Sequence, residues 1–372
     1  MLIVSSQTLA VTASRGNLGA VLGYTLLMRP SNIFRWSGIA LATAACGWIA
    51  WTLFKRPDVA DLVGRPKVWP LLAAAGAVAT LGQILFYSRW YLLLRVVSVP
   101  LSWLDAVSSS AIAELLSHVA FGAAGGDVYR GIATSGAAKG HRVGLVTAIL
   151  ADRVAGLYSI FCLAAIAGPL APRGTVAWQA ILKASLPVLW LAVVGGGLCI
   201  LAGLAVNLGP ALAFTRRWPL VYRAVVPVLA AIERFRSRPW AYAVAILWGI
   251  GVHVLNATVL WLVAKGFSLP HPSWAEHCVI MSLATCMGLL PLPMAGLGAV
   301  ELVIDQLYQA AAPGAHGAGL IAALGYRILS LAVIAALAAG FATALHRRRL
   351  EPRDALPTGE AAVTGGLPAT AD

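Results

Sequence analysis

Two pairs of acid and arginine stand out in this sequence, because the residues around them are almost all apolar. Asp127 precedes Arg153, and Glu301 precedes Arg327, each by 26 residues (127 to 153 and 301 to 327). A charged side chain in hydrocarbon costs several kcal/mol unless it is paired, neutralised or wetted. Since a guanidinium binds phosphate through two parallel hydrogen bonds, the pattern predicts a site for an anionic lipid head group. The carboxylates would hold the arginines when no lipid is bound, or titrate.

More candidate residues lie close to these pairs in the sequence. Glycines and prolines upstream of Glu301 break helices, and the exposed N-terminus of a half-helix attracts an anion such as a lipid phosphate. The competing interpretation is that the acids only cap helices or neutralise arginines, so that the charges form a structural lock. The full set of candidate lipid-binding or coupling residues is Asp127, Arg130, Asp152, Arg153, Gly296, Gly298, Glu301 and Arg327.

Other kinds of site find little support in the sequence. No Ser-His-Asp or Cys-His arrangement is recognisable, and the five cysteines lie in apolar surroundings without a C-x-x-C motif. We therefore predict no cofactor and no bound metal, and enzymatic activity stays open. The formal net charge of +13 could indicate nucleic-acid binding in a soluble protein. Here the basic residues concentrate in short loops, which is typical of membrane topology and attraction to anionic lipids, so no nucleic-acid partner is expected.

Composition indicates that a membrane surrounds these charges. Of the 372 residues, 60% are hydrophobic and 11% are charged, and the mean hydropathy is +0.82. We predict an all-α polytopic membrane protein with about eight transmembrane helices, including re-entrant or broken segments. Arg153 and Arg327 would each lie about 15 Å deep, at ~1.5 Å per residue, and should face the interior of the bundle. The clearest apolar spans are 36–54, 69–88, 143–168, 185–206, 240–264, 276–292 and 317–345.

Basic loops predict the orientation of these spans. Arginines cluster between residues 216 and 238 and again at 347–349, which favours a cytoplasmic position for both segments. The helix at 143–168 then runs outward and the helix at 317–345 runs inward. This scheme places the C-terminus on the cytoplasmic side of the membrane. The basic loop at 55–67 disagrees with it, since that loop would lie outside.

Two parts of the sequence resemble each other. The string "SVPLSW" at 98–103 is echoed by "SLPHPSW" at 268–274, and "GGDVYR" at 125–130 is echoed by "GLGAVE" at 296–301. Because the matching helices should run in opposite directions, we predict inverted repeats with halves at about 69–170 and 240–345. The alternative is a chance match of short strings rich in proline and glycine.

Assembled in order, these motifs resemble the transmembrane, flippase-like family named after lysylphosphatidylglycerol synthase. That family's first half has a Gly-Asp followed by an arginine and then an acid-arginine pair, and the matching residues are Gly126, Asp127, Arg130, Asp152 and Arg153. Its second half has a Pro-rich Gly-Gly-Leu-Gly-x-x-Glu turn and a later arginine, matched by Pro291, Pro293, Gly296, Leu297, Gly298, Glu301 and Arg327. Ala295 replaces the first glycine of the turn, and Gly156 replaces an acid common in the family, so the charge network should differ in detail.

The resemblance implies an inner-membrane lipid transporter or flippase that moves a phospholipid, glycolipid or isoprenoid-type lipid between leaflets. One alternative is a membrane-embedded enzyme, or an accessory subunit, that presents a lipid carrier for aminoacyl or glycosyl transfer; another is a structural partner in a membrane complex. The implied partners are a membrane lipid with an anionic head group and a lipid-modifying enzyme. We expect an N-terminal segment at 1–35 that could add one membrane-associated helix, a transmembrane domain at 36–346, and a disordered cytoplasmic tail at 347–372 without a synthase domain.

Overall fold

The protein combines long apolar helices with pairs of half-length helices. This computed structural model describes residues 57–118, 122–135, 142–172, 174–205, 232–287 and 297–350, with isolated positions between 216 and 229. The N-terminal segment 1–35, the predicted span 36–54, Gly296 and the tail beyond residue 350 lie outside the described residues. Every regular element within the described ranges is a helix, as the sequence predicts.

The helices follow one another along the chain in a repeated order of lengths. They are α1 (Pro57–Gly64), α2 (Trp69–Val96), α3 (Trp103–Leu116), α4 (Gly122–Ser135), α5 (Arg142–Leu170), α6 (Val176–Ala205), α7 (Pro239–Gly266), α8 (Trp274–Met287), α9 (Ala299–Ala311) and α10 (Ala318–Leu350). Among the described residues, five helices are long and apolar enough to cross a membrane, namely α2, α5, α6, α7 and α10. The prediction of a polytopic helical membrane protein is therefore confirmed.

Helices α2 and α7 are built alike. Each has 28 residues, a proline in its first turn, where a missing N–H leaves no bond unmade, and a cation in its last turn. Each is followed by a serine with a positive φ, 60° at Ser98 and 54° at Ser268. These are the positions of the two similar strings in the sequence, so the resemblance of the strings corresponds to the same helix end.

The helices that follow α2 and α7 are too short to span a bilayer. Helices α3, α4 and α8 have 14 residues and α9 has 13, so each is roughly 20 Å long against ~30 Å of hydrocarbon. The predicted span at 276–292 is thus a half-length helix that ends at Met287. We call the pairs α3–α4 and α8–α9 the first and second hairpins. Both begin in the same way, because the indole N–H group of their first residue donates to a hydroxyl on the preceding long helix. Trp103 donates to Ser88 at 3.2 Å, and Trp274 donates to Thr258 at 3.0 Å.

Contacts at the helix ends define how the chain runs. Helices α2 and α7 are antiparallel: Val68 N–H donates to the Gly266 carbonyl at 2.8 Å, and at the opposite end Arg234 Nη1 donates to the Val97 carbonyl at 2.7 Å. We call these the Gly266 end and the Val97 end. Gly144, at the start of α5, packs against Val97 and Arg234, so α5 begins at the Val97 end.

The two hairpins enter the bundle from opposite ends. Helix α3 starts at the Val97 end and the chain returns there to begin α5, so the α3–α4 hairpin enters and leaves at that end. Helix α8 starts at the Gly266 end, and α9 finishes there, since Gly174 lies against both Glu276 and Ala311. Phe341, late in α10, packs edge-on against Trp103 with 5.9 Å between ring centroids. Helix α10 therefore finishes at the end where α5 begins.

Candidate functional site

The first predicted pair forms between a half-length helix and a long one. Arg153 on α5 donates to a single carboxylate oxygen of Asp127 on α4, from Nη2 at 2.6 Å and from Nε at 2.7 Å. Its side chain remains 46% exposed and that of Asp127 20% exposed. The sequence analysis expects Arg153 to face the interior of the bundle, and in the structure it meets an acid while part of its side chain stays exposed. The pair can therefore be reached by a ligand without unfolding either helix.

The second predicted pair is closed. Arg327 Nε on α10 donates to Glu301 Oε1, while Gly298 N–H donates to the other oxygen, Oε2, at 2.7 Å. Glu301 lies in the first turn of α9, where its charge is favourable to the helix dipole and its side chain satisfies a backbone N–H that has no partner in the helix. Its side chain is only 2% exposed, and that of Arg327 14%.

A third group of charges is deeper and includes an arginine that the sequence analysis missed. Asp152 on α5 accepts from Arg89 Nε on α2 at 2.9 Å and is within 3.4 Å of Arg130 Nη1 on α4. All three side chains are buried, and the guanidinium of Arg130 lies 4.8 Å from the ring centroid of Trp90. The predicted span 69–88 stops one residue before Arg89, whereas the helix continues to Val96. Extending the apolar pattern to Val96 would have placed Arg89 inside the helix.

Next to this triad lies Glu114, which the sequence analysis also missed. It occupies the last turns of α3, near Tyr87, His118 and Arg130. Within the described residues, Glu114 Oε2 and Arg130 Nε are buried and have no hydrogen-bond partner. The side chains of Tyr87 and Gln83 lie near the Glu114 carboxyl, so Glu114 and Arg130 lie in one polar interior. The signal available in the sequence was a lone acid within an apolar stretch.

The candidate residues fall into groups that adjoin one another. Asp152 and Arg153 are neighbours in sequence, yet Asp152 binds the buried arginines and Arg153 binds Asp127. Tyr326, beside Arg327, interacts electrostatically with Glu114 on α3. The second pair therefore adjoins the interior of the first hairpin. Gly298 and Glu301 come together with Arg327, while Gly296 lies outside the described residues.

Asp305, one helical turn after Glu301 on α9, binds N–H groups rather than an arginine among the described contacts. One oxygen accepts from Leu320 N–H at 3.1 Å, and the other accepts from Gln309 Nε2 at 2.8 Å. Because Leu320 belongs to the first turn of α10, Asp305 fastens α9 to the start of that helix. A carboxylate that accepts these N–H groups is stabilised there by local hydrogen bonds.

Comparison with known families gives a match over most of the chain. The model of the family described as Lysylphosphatidylglycerol synthase TM region matches residues 35–338, which is more than four fifths of the sequence. The matched range contains both pairs, the buried triad and Glu114. No curated protein matches the chain.

Proposed function

We propose that this chain, which belongs to the lysylphosphatidylglycerol synthase transmembrane-region family of lipid-handling membrane proteins, moves a phosphate-bearing lipid between the leaflets of its membrane. The observation that carries the proposal is the Asp127–Arg153 pair. It joins a half-length helix to a long helix, and the Arg153 side chain stays 46% exposed although it is paired. An arginine within an apolar bundle costs several kcal/mol of free energy unless it binds a ligand or forms an ion pair.

The path for the lipid would lie between two inverted repeats, α2–α5 and α7–α10. Three observations support the inversion: α2 and α7 are antiparallel, α5 begins where α10 finishes, and the hairpins enter from opposite ends. Many secondary transporters place their sites between such repeats, near the membrane midplane. The arginine-rich segment at the Val97 end would face the cytoplasm, with α10 leading to a cytoplasmic C-terminus.

Exchange of partners on Arg153 would be the binding step. A lipid phosphate offers oxygens to both Nη2 and Nε, the atoms that now bind one oxygen of Asp127. Asp127 would then be released, so that α4 is no longer tied to α5 by this pair. The Glu301–Arg327 pair, being closed and backed by Gly298, would keep the second hairpin fixed while the first one responds.

Lipid movement can be measured with the full chain reconstituted in liposomes. A fluorescent phospholipid is reduced from outside by a membrane-impermeant reagent, and the fraction that becomes accessible reports movement between leaflets. We expect Arg153→Gln to slow movement by about tenfold or more, since a charge-assisted bidentate contact contributes on the order of 1.5–3 kcal/mol. Lys183→Gln, at an exposed position on α6, is the matched control and should move lipid at the wild-type rate.

Two results would overturn the proposal. One is a wild-type rate for Arg153→Gln in liposomes that contain equal amounts of folded protein. The other is a change in lipid mass during the assay, which would favour head-group chemistry over movement. Mass spectrometry of lipids that copurify with the wild type and are lost from Arg153→Gln identifies the lipid class, with total membrane extract as background.

A further inference from the structure

A cavity of about 490 Å³ opens at the Val97 end, away from the charge pairs. It lies where α2 ends and where α3 and α7 begin. Its volume is within the range of small-molecule sites, ~300–1,000 Å³. The residues that give it its chemical character are Arg95, Arg238, Trp103, Trp240, Trp248 and Tyr91.

The lining of this cavity has two cations and no acid. Arg95 and Arg238 are both exposed, and neither side chain forms an ion pair with any described residue. Tryptophan and tyrosine rings concentrate at the level of lipid head groups, where one side of the ring is apolar and the other polar. The cavity therefore combines an excess of positive charge with the aromatic surface typical of a membrane interface.

The position of Arg238 is informative because helix dipoles do not explain it. Arg95 lies in the last turn of α2, where a cation is favourable to the partial negative charge of the helix end. Arg238 is the residue before the first turn of α7, where the partial charge is positive and a cation is unfavourable. Arg238 therefore has an unfavourable helix end beside it, and the cavity it shares with Arg95 is suited to an anion.

The opposite end of the molecule offers a natural comparison. Lys265 ends α7 as Arg95 ends α2, but its ammonium lies 4.4 Å from the ring centroid of Trp261. Lys67, before α2, likewise lies 5.3 Å from the ring centroid of Phe267. Lys67 and Lys265 are thus each in contact with one of the protein's own rings, and Lys67 also donates to two backbone carbonyls. Arg95 and Arg238 instead face an open cavity.

We propose that the cavity binds the phosphate of an anionic phospholipid head group from the leaflet at the Val97 end. Arg95 and Arg238 hold the phosphate oxygens, and the tryptophans contact the glycerol and the upper acyl chains. The arginine-rich segment before α7 would attract the same lipids. Basic segments stay on the cytoplasmic side of a membrane, and the cytoplasmic leaflet is also the one that contains the anionic lipids. This site is distinct from Arg153 and requires no lipid movement.

Native mass spectrometry of the full chain in mild detergent tests the assignment. Phosphatidylglycerol or phosphatidylcholine is titrated onto the wild type, onto the double variant Arg95→Gln with Arg238→Gln, and onto the matched variant Lys67→Gln with Lys265→Gln. We expect the arginine variant to bind phosphatidylglycerol roughly tenfold more weakly and the lysine variant to bind it as the wild type does. Phosphatidylcholine carries the same phosphate without a net charge, so it should bind the wild type more weakly than phosphatidylglycerol and lose less in the arginine variant.

Equal loss in the two double variants would overturn the proposal, because it would indicate only an effect of net charge. Undiminished phosphatidylglycerol binding by a folded arginine variant would overturn it as well. Displacement of the lipid by inorganic phosphate would assign the cavity to a soluble anion instead. None of these results depends on Arg153, so the proposal of lipid movement is tested separately by the liposome assay.

Discussion

The two acid-arginine pairs have the same spacing in sequence but different surroundings in the fold. Each pair joins residues 26 positions apart, and each links a half-length helix to a long one. Arg153 is 46% exposed, whereas Arg327 is 14% exposed and its acid is also bound by a backbone N–H. One motif has therefore produced an open pair and a closed pair. This difference separates a ligand-binding role from a structural role better than the presence of the charges does.

Removal of each acid should give the largest contrast between the pairs. Glu301→Ala leaves a mostly buried arginine and the Gly298 N–H without an acceptor, so we expect a loss of about 3–5 kcal/mol in the free energy of unfolding. Asp127→Ala should lose less than Glu301→Ala, because Arg153 is 46% exposed and can reach water or a ligand when its partner is removed, whereas Arg327 is 14% exposed. Thermal unfolding of both variants in the same detergent measures the difference. Similar midpoints for the two variants would mean that the pairs are equivalent after all.

The spacing of the pairs could be predicted from sequence because both are formed between chain-adjacent helices. The buried triad could not, since Arg89 and Asp152 are 63 residues apart and nothing local marks them as partners. The predicted span 276–292 overlaps α8, whose described residues reach Met287, and the rest of that span lies outside the described residues. Exposure of Arg153 depends on what packs beside α5, and the helical period alone does not contain that information.

Exchanging the acid and the arginine within each pair should change the free energy of unfolding less than removing the acid does. Arg153→Asp combined with Asp127→Arg should largely restore the unfolding midpoint, because both side chains are partly exposed and the ion pair can form again with its charges reversed. Arg327→Glu combined with Glu301→Arg should restore it only in part, since an arginine at position 301 meets the positive end of α9 and cannot accept from Gly298.

The same variants can be carried into the liposome assay of lipid movement. The exchanged first pair should stay inactive, because an acid at position 153 repels the lipid phosphate. Full recovery of lipid movement by that exchange would show that the first pair, like the second, is only a lock.

Gly298→Ala should give the smallest effect, and it tests why the second pair is closed. Gly298 has a φ of 91°, a conformation that L-residues rarely adopt, so alanine should lower the free energy of unfolding by about 1–2 kcal/mol. Gly340→Ala is the control, since that helical glycine in α10 has no atom near the added Cβ and should be neutral or slightly stabilising. If Gly298→Ala unfolds at the same temperature as Gly340→Ala, the turn does not depend on this conformation. If Gly298→Ala is the less stable of the two, the glycine conformation supports the turn whose N–H donates to Glu301 and so helps to keep the second pair buried.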